Sequence, residues 1–353
     1  MLSEQTVVDM FRTILGRAPE SPKVVQYHQK VANPETLRQM LLQSAEFATL
    51  YARIEARSLM GASALAVLER SKEAGRPVHA DQRPGSEPLL LARGIMPPLG
   101  TIETSAEGAA REALWDRVAR AWAKLGDEAP HWSVLTHDSF RPDALEANRQ
   151  AFDDSAEIEG VLIDAALERV PAARAADRRC VEIGCGVGRA TRALAGRFQH
   201  VTGIDISAAH LTVAERELAA AGISNVTLTR AATVDDYGKI AAGHDFLFTR
   251  MVLQHNPPPV QAAILAQVFG ALAPGAIALF QVVTYGRRYE YTLTKDKAGG
   301  AGMEMHVLPQ SEVFRLLAES GLVPLEVQED FAAGRHGPFR SHLFLAQKSG
   351  GAS

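Results

Sequence analysis

The chain has 353 residues, of which 46% are hydrophobic and 22% are charged, and its formal net charge is −4. These values are typical of a globular protein with a core domain and one or two smaller units, and they argue against a broad basic surface for nucleic acid. No apolar run approaches the roughly 20 residues of a membrane span, Met1 to Gln5 lack the features of a signal peptide, and two cysteines cannot form a disulfide framework, so we expect a cytoplasmic protein.

Residues 1–58 are predicted to form a small all-α domain. Val7, Val8, Phe11, Ile14 and Leu15 lie on one face of a first helix. Ser21-Pro22 and Asn33-Pro34 each combine a capping residue with proline at the first helical position, which predicts two more helices.

Residues 59–108 are predicted to be a linker, and residues 109–176 a helical cap segment. The linker contains prolines and glycines at short intervals, which favour extended or irregular structure. In the cap segment, Trp115, Val118, Trp122 and Leu125 share one face of a helix over 113–125.

A glycine-rich loop follows the first predicted strand of the third unit, residues 177–348. The apolar run Cys180 to Ile183 leads into Gly184-Cys185-Gly186-Val187-Gly188, and a helical pattern begins at Arg189. Glycines allow a sharp turn and a close approach of a ligand, and the following helix presents free N–H groups. A second strand, 200–205, ends at Asp205, whose carboxylate is suited to ribose hydroxyls. The loop therefore predicts a nucleotide-containing ligand, unless it only connects two strands.

Two details favour S-adenosylmethionine over a dinucleotide. The glycines are spaced G-x-G-x-G, whereas a dinucleotide-binding loop has G-x-G-x-x-G, and position 189 is arginine. Glu182 at the end of the strand would repel a pyrophosphate and attract an ammonium or sulfonium group.

Strand and helix patterns alternate along the rest of this unit. Val260, Ile264, Leu265, Val268, Phe269 and Leu272 form the apolar face of one helix, and Ser311 is predicted to cap another that ends near Gly321. Such alternation predicts a parallel sheet with helices on both faces, with the ligand site beyond the carboxyl ends of the strands. Residues 349–353 are predicted to be a disordered tail.

Residues from about 179 to 348 resemble the class I S-adenosylmethionine-dependent methyltransferases. The resemblance includes the glycine loop and the third and fourth strands, at 225–230 and 245–250. It continues through the segment after the fourth strand, 251–258, and the turn at 272–275 into the fifth strand, 276–283. The last strand is at 341–347. It implies an α/β, Rossmann-like, seven-stranded, mostly parallel sheet, with S-adenosylmethionine as cofactor and S-adenosylhomocysteine as product.

The resemblance also implies cofactor-binding residues. Glu182 would bind the methionine ammonium, the loop would admit the methionine part, Asp205 would hold the ribose, and adenine would lie near Ile206 and 232–235. Arg250 would reach either the substrate or the cofactor carboxylate. The predicted set is Glu182, Gly184, Cys185, Gly186, Gly188, Asp205, Ile206, Thr233, Val234 and Arg250.

His255 and Tyr285 are predicted to be catalytic. Histidine can accept a proton near neutral pH, and His255 follows the fourth strand at the cofactor end of the sheet. A structural or substrate-binding histidine is the alternative. After the fifth strand, Arg287, Tyr289 and His306 lie in a segment whose aromatic, basic and hydrogen-bonding groups suit a sugar, which makes them predicted substrate-binding residues. The alternative is a solvated loop whose tyrosines pack on the sheet.

No metal site is predicted, because Asp235, Asp236 and Asp245 are explained as residues at the starts of a helix and a strand. A magnesium requirement stays open. Residues 131–152 resemble the cap that precedes the core in a bacterial subgroup of these methyltransferases.

The N-terminal pattern from Phe11 to Pro19, with Leu42 to Phe47, resembles a small bacterial helical domain that accompanies enzymes of surface-polysaccharide assembly. We therefore predict O-methylation of a glycan or sugar-containing small molecule, with polysaccharide-assembly enzymes or a second copy of the chain as partners. The alternatives are a natural-product or other small-molecule O- or N-methyltransferase, and an inactive cofactor-binding partner subunit. The N-terminal helices could also be only a solubilising or dimerising appendage.

Overall fold

The computed structural model describes residues 1–15, 17–42, 44, 46, 99–170, 178–296, 303–333 and 338–350. The chain divides into two compact units, Met1–Pro98 and Leu99–Ser353. Most of the predicted linker, 59–98, and the end of the predicted tail, 351–353, lie outside the described residues.

The first unit contains helices α1 (Glu4–Leu15), α2 (Pro22–Gln29) and α3 (Pro34–Leu42). Both predicted proline starts are confirmed, and the Asn33 side chain accepts a hydrogen bond from the Thr36 amide at 2.9 Å. Because the apolar residues of α1 recur at helical spacing, they meet those of α2 and α3 in one small core. Its buried members are Val7, Phe11, Leu15, Val25, Leu37 and Leu41.

The second unit begins with cap helices that precede the sheet. They are α4 (Gly108–Glu128), α5 (Pro130–Val134), α6 (Arg149–Asp154) and α7 (Glu157–Glu168), with 3₁₀ turns at Asp138–Phe140 and Glu146–Asn148. Helix α4 extends the predicted helix at both ends. Residues 99–103 were predicted to belong to the linker, yet Ile102 forms a parallel bridge with Tyr291. This short stretch is therefore part of the folded second unit.

A seven-stranded sheet forms the centre of the second unit, in the order β3-β2-β1-β4-β5-β7-β6. The strands are β1 (Arg179–Ile183), β2 (His200–Asp205), β3 (Val226–Arg230), β4 (Phe246–Thr249), β5 (Ile277–Gly286), β6 (Leu322–Asp330) and β7 (Phe339–Lys348). Strands β1 to β5 pair in parallel, and β7 runs antiparallel to both β5 and β6. The predicted mostly parallel Rossmann-like sheet is confirmed.

Helices cover both faces of the sheet. They are α8 (Arg189–Ala195), α9 (Ala208–Ala220), α10 (Val234–Ala241), α11 (Pro258–Ala271) and α12 (Gln310–Glu319). Alternate strand residues enter two separate cores, with Cys180 and Phe246 on one face and Val181 and Leu247 on the other. This arrangement buries both faces and places the loops after β1, β2 and β4 at one edge.

Two predicted boundaries differ from the structure. Helix α12 begins at Gln310 after Pro309, so Ser311 lies in its first turn and is not the capping residue. Strand β5 continues beyond Val283, because β7 pairs with it as far as Gly286 across an irregularity between Val283 and Tyr285. Tyr285 therefore lies on a strand.

Candidate functional site

A cavity opens at the carboxyl ends of β1, β2 and β4. Its volume is about 870 Å³, including open solvent at its mouth, which is within the range of cofactor sites. The core contributes the glycine loop and polar or charged side chains, and the cap contributes Val118, Trp122, Ser133, Val134 and Glu159. Of the predicted cofactor-binding residues, the cavity is lined by Glu182, Gly184, Cys185, Gly186, Asp205, Ile206 and Arg250.

The glycine loop packs against its neighbours too closely for side chains at two positions. A Cβ atom at Gly184 would lie 2.4 Å from Val252 Cγ2, and one at Gly186 would lie 2.6 Å from Val134 Cγ2. Both glycines also have left-handed backbone angles, with φ of 72° and 54°. At Gly184 and Gly186 the loop thus presents only backbone to the cavity, while Gly188 stands directly before α8.

Asp205 connects two loops and lines the cavity. Its Oδ2 accepts a hydrogen bond from the Gly186 amide at 2.8 Å, and its Oδ1 accepts one from the Ser207 amide at 2.8 Å. A carboxylate has about four acceptor positions, so these two bonds leave capacity for further donors. The carboxylate is therefore both oriented and still able to bind hydroxyl groups.

Glu182 is a buried carboxyl, only 3% exposed, and its Oε2 accepts a hydrogen bond from Thr191 Oγ1 at 2.6 Å. Burial raises its pKa from 4.5 to about 7, against the opposing effects of the Thr191 hydrogen bond and the nearby Arg189 charge. A cationic group in the cavity would favour the ionised form. The pKa of this residue should therefore respond to the ligand.

Arg250 lies at the end of β4 and shares a partner with Arg189. Both guanidinium groups donate to the carboxylate of Glu159 on α7, and all three residues line the cavity. Glu159 is missing from the sequence-based predictions, because it lies in the cap outside any motif. The only feature that could have indicated Glu159 is its position as an acidic residue in the first turn of a helix.

The predicted adenine region is attached to the cap. Trp115 on α4 donates from its indole nitrogen to the Ala232 carbonyl at 2.8 Å. Ile206 and Tyr237 line the cavity, whereas Thr233 and Val234 are absent from its lining. Thr233 forms a capping box with Asp236 at the start of α10, and Val234 is buried in the core. Tyr237 therefore lines the cavity, whereas the predicted residues Thr233 and Val234 do not.

His255 lies beside the cavity in a 3₁₀ turn after β4. Its Nδ1 is 3.0 Å from the Glu304 carbonyl oxygen, which can only accept, so Nδ1 carries the proton and Nε2 keeps a lone pair. The ring stands edge-on to Trp122, a cavity-lining residue, at 5.4 Å between centroids. Burial lowers the pKa of His255, and the carbonyl contact opposes this shift. The side chain is therefore a neutral imidazole with one acceptor nitrogen.

A second, open cleft lies next to His255. It is lined by Tyr289, Glu290, Tyr291, Thr292, Lys295, Asp296, Glu304, Met305 and His306. His306 Nε2 is 3.1 Å from the Glu304 carboxylate and its Nδ1 is 2.8 Å from the Tyr289 hydroxyl. Because a carboxylate only accepts, Nε2 carries the proton and Tyr289 donates to Nδ1. Two of the three predicted substrate-binding residues thus meet in this cleft.

Arg287 and Tyr285 lie outside the linings of both the cavity and the cleft. Tyr285 is opposite Arg340 on β7, and the Arg287 amide donates to the Pro338 carbonyl at 2.8 Å. Tyr285, predicted to be catalytic, thus lies on β5, and Arg287, predicted to bind substrate, directly follows that strand.

The acidic residues considered for magnesium have local roles. Asp236 caps α10, and Asp245 accepts from the Arg179 amide at 3.1 Å. Across the described ranges, no group of three or more His, Cys, Asp or Glu residues has a metal-binding arrangement. Nor is any helix in those ranges long and apolar enough to cross a membrane. Both cysteines, Cys180 and Cys185, are buried free thiols.

The cavity lining fits the chemistry of an amino-acid nucleoside. Glu182 and Asp205 can receive an ammonium group and ribose hydroxyls, while Arg189 and Arg250 supply positive charge for a carboxylate. Gly184 and Gly186 have no side chains, which leaves room for a ligand beside the loop backbone. S-adenosylmethionine carries all of these groups.

Residues 180–275 match a family model described as a methyltransferase domain. Among curated proteins, the ubiquinone biosynthesis O-methyltransferase of Psychrobacter arcticus is 24% identical over 181 residues, covering 49% of this chain and 68% of that protein. The trans-aconitate 2-methyltransferase of Paracidovorax citrulli is 36% identical over 118 residues, covering 33% of this chain and 42% of that protein. Among solved structures, the magnesium protoporphyrin IX methyltransferase of Synechocystis with bound S-adenosylhomocysteine covers 66% of this chain and 98% of that one, with TM-score 0.46 and 17% identity.

Proposed function

We propose that this S-adenosylmethionine-dependent methyltransferase transfers a methyl group to a hydroxyl of a glycan or sugar-containing small molecule. The methyltransferase domain over 180–275 confirms the reaction class and the cofactor predicted from the glycine loop. The observation that carries the acceptor proposal is the polar and aromatic cleft beside His255.

The cofactor is proposed to lie along the cavity with its amino-acid end at Glu182 and Arg250. Glu182 receives the ammonium group, Arg250 the carboxylate, and Asp205 the ribose hydroxyls. Ile206 and Tyr237, which line the cavity, contact the adenine. The opposite charges of Glu182 and Arg250 match the two charges of an α-amino acid.

When bound, S-adenosylmethionine supplies an electrophilic methyl group, so the chain must align the acceptor hydroxyl and remove its proton. His255 is proposed to accept that proton at Nε2. The Glu304 carbonyl holds Nδ1 in its protonated form, which leaves the second nitrogen as the base. Trp122 of the cap lines the cavity next to His255.

The cleft beside His255 is suited to a neutral, hydroxyl-rich acceptor. Tyr289 and Tyr291 contribute aromatic side chains to its lining, and Glu304 offers a carboxylate for sugar hydroxyls. Three carboxylates line the described part of this cleft, and two of them are paired, Glu290 with Lys295 and Asp296 with Arg117, which leaves the negative charge of Glu304. This charge balance disfavours a tricarboxylate such as trans-aconitate.

A phenolic small molecule is a second candidate acceptor. The similarity to a ubiquinone biosynthesis O-methyltransferase favours it, and so do the apolar side chains of Val118, Trp122 and Val252 in the cavity. Its ring would pack on Trp122 and would not need the polar cleft.

Full-length protein, incubated with S-adenosylmethionine carrying a deuterated methyl group, tests the two acceptor classes directly. Sugars and glycosides form one panel, and catechols and other phenols form the other, with mass spectrometry as readout. We expect labelled methyl ethers in the sugar panel and a large loss of that product in the variant Tyr289→Ala. Product confined to phenols, with no effect of Tyr289→Ala, would replace the sugar proposal by the phenolic one.

The N-terminal helical unit is proposed to bring the enzyme to polysaccharide-assembly partners at a cytoplasmic location. Its support is the sequence resemblance together with the three compact helices α1, α2 and α3. Copurification of defined polysaccharide-assembly enzymes with the full chain, but not with residues 99–353, is the expected result.

A further inference from the structure

Glu159 is a buried carboxylate, 2% exposed, that faces two arginines across the cavity wall. Its Oε1 lies 2.7 Å from Arg189 Nη2 and 3.1 Å from Arg250 Nη1, and its Oε2 lies 3.3 Å from Arg250 Nη1. Arg250 Nε also lies 3.8 Å from Asp330 Oδ2, so the two guanidinium groups face two carboxylates. Of these two carboxylates, Glu159 contacts both arginines.

These three residues come from three separate elements. Glu159 lies on the cap helix α7, Arg189 opens α8 directly after the glycine loop, and Arg250 follows β4. Two guanidinium groups this close repel each other, and a buried charge is costly without a partner. Glu159 therefore stabilises both arginine side chains in their observed positions.

Two donors of this cluster form no hydrogen bond. Arg189 Nε and Arg250 Nε are buried and donate no hydrogen bond to any residue that the structure describes, and Arg250 Nε lies 3.8 Å from Asp330 Oδ2. Arg189 Nη1 is held by the Ser155 carbonyl at 3.0 Å, so the guanidinium cannot turn freely. Glu182, which is proposed to receive the ammonium, lines the same cavity.

We infer that Glu159 is a positioning residue for the amino-acid end of the cofactor. It holds Arg189 and Arg250 in the positions in which they receive the cofactor carboxylate. This inference rests on the proposed orientation of the cofactor. It also makes the cap part of cofactor recognition, because α7 supplies the residue that fixes both arginines.

Calorimetric titration with two ligands tests the inference in the full-length protein. S-adenosylhomocysteine has the amino-acid end, and methylthioadenosine has the same nucleoside without it. In Glu159→Gln we expect the affinity for S-adenosylhomocysteine to fall by about tenfold or more, because charge-assisted hydrogen bonds lose their geometry. The affinity for methylthioadenosine should stay within about twofold of wild type.

Glu157→Gln is the matched control. Glu157 lies on the same helix, is exposed, and pairs with Arg197 at 3.0 Å outside the cavity lining. Neither affinity should change. If Glu159→Gln does not fold, Arg250→Gln keeps the Glu159–Arg189 pair and is expected to show the same selective loss.

Three outcomes would overturn the inference. Equal losses for both ligands would mean that Glu159 supports the cavity as a whole. Unchanged or increased affinity for S-adenosylhomocysteine would mean that the arginines do not need Glu159. Failure of the wild-type protein to bind S-adenosylhomocysteine would remove the cofactor orientation on which the inference rests. A failure to methylate sugars, by contrast, would leave this result intact and would contradict only the proposed acceptor.

Discussion

At the scale of single residues, Glu182 and Asp205 show how similar carboxyl groups take different roles from their surroundings. Asp205 receives two backbone amides, whereas Glu182 receives one hydroxyl in a buried setting. Burial raises the pKa of Glu182 to about 7. The ionisation of Glu182 is therefore linked to both ligand binding and stability near neutral pH.

For ligand binding, we expect affinity to increase with pH. An ammonium group favours the ionised carboxylate, so binding requires loss of the proton below the pKa of about 7. In the wild-type protein the affinity for S-adenosylhomocysteine should fall by up to about tenfold for each pH unit below this value. Calorimetry between pH 5.5 and 8.5 measures this, and Glu182→Gln should bind weakly with little pH dependence. A flat wild-type profile would contradict the role of Glu182.

The contribution of Glu182 to the free energy of unfolding should change with pH in the opposite direction. The folded pKa of Glu182 is raised above 4.5 by burial, so its favourable contribution is fully present below pH 4.5 and is lost as pH rises through about 7. The ligand-free protein should lose at most about 3 kcal/mol through this group between those limits. Glu182→Gln should reduce the pH dependence of the free energy of unfolding, measured by urea denaturation. Identical pH dependence in both proteins would show that the carboxyl is not desolvated.

His255 allows a separate test of catalysis. His255→Ala and His255→Asn should each lower kcat by about 10²-fold or more, because neither side chain accepts the proton, while S-adenosylhomocysteine affinity is retained. Asparagine can still donate to the Glu304 carbonyl, which makes it the control for a structural role. Full activity of His255→Asn would assign His255 to structure alone. Because burial lowers its pKa, the wild-type kcat should stay high below pH 6.5.

At the scale of elements, the cap helices complete the cavity in which we propose that the cofactor binds. Helix α5 places Val134 against Gly186, and helix α4 attaches to the Ala232 carbonyl through Trp115. The cap is therefore fixed at both ends of the predicted cofactor position. Substitutions at these contacts should affect ligand binding without altering the ionisable groups of the cavity.

Gly186→Ala tests the contact between the loop and α5. The new Cβ would lie 2.6 Å from Val134 Cγ2 at a φ of 54°, so we expect a loss of about 1–3 kcal/mol in stability and weaker S-adenosylhomocysteine binding. The double variant with Val134→Ala should recover the steric part but not the backbone strain. Thermal unfolding and calorimetry measure the two effects. Strictly additive losses would exclude a direct contact.

At the scale of the whole molecule, all described residues that line the cavity or the cleft belong to the unit Leu99–Ser353. We therefore expect a protein of residues 99–353 to bind S-adenosylhomocysteine with an affinity within about threefold of the full chain. Phe11→Ala in the full chain is the companion variant, since it disrupts the separate N-terminal core. A large loss of affinity on removal of residues 1–98 would show that the first unit contributes to the site.

Much of the second unit could be predicted because its signals are local. Short apolar strands, helices with one apolar face and a glycine loop between them are determined by nearest neighbours in the chain, and this was enough for the sheet class and the cofactor. The same holds for the two helices that begin at Pro22 and Pro34. The predicted end of β5 was wrong, because pairing with β7 extends this strand. The predicted start of α12 was wrong, because the helix begins directly after Pro309.

The sequence by itself determined the class of fold, the cofactor and the residues that stand at the carboxyl ends of β1, β2 and β4. Only the tertiary structure decided which distant residues join them. Glu159 contacts Arg189 and Arg250 because α7 packs beside the sheet edge, and His255 contacts the Glu304 carbonyl because the chain returns past it. Such contacts join residues far apart in the chain, so no local pattern records them, and long-range packing alone brings their charges together.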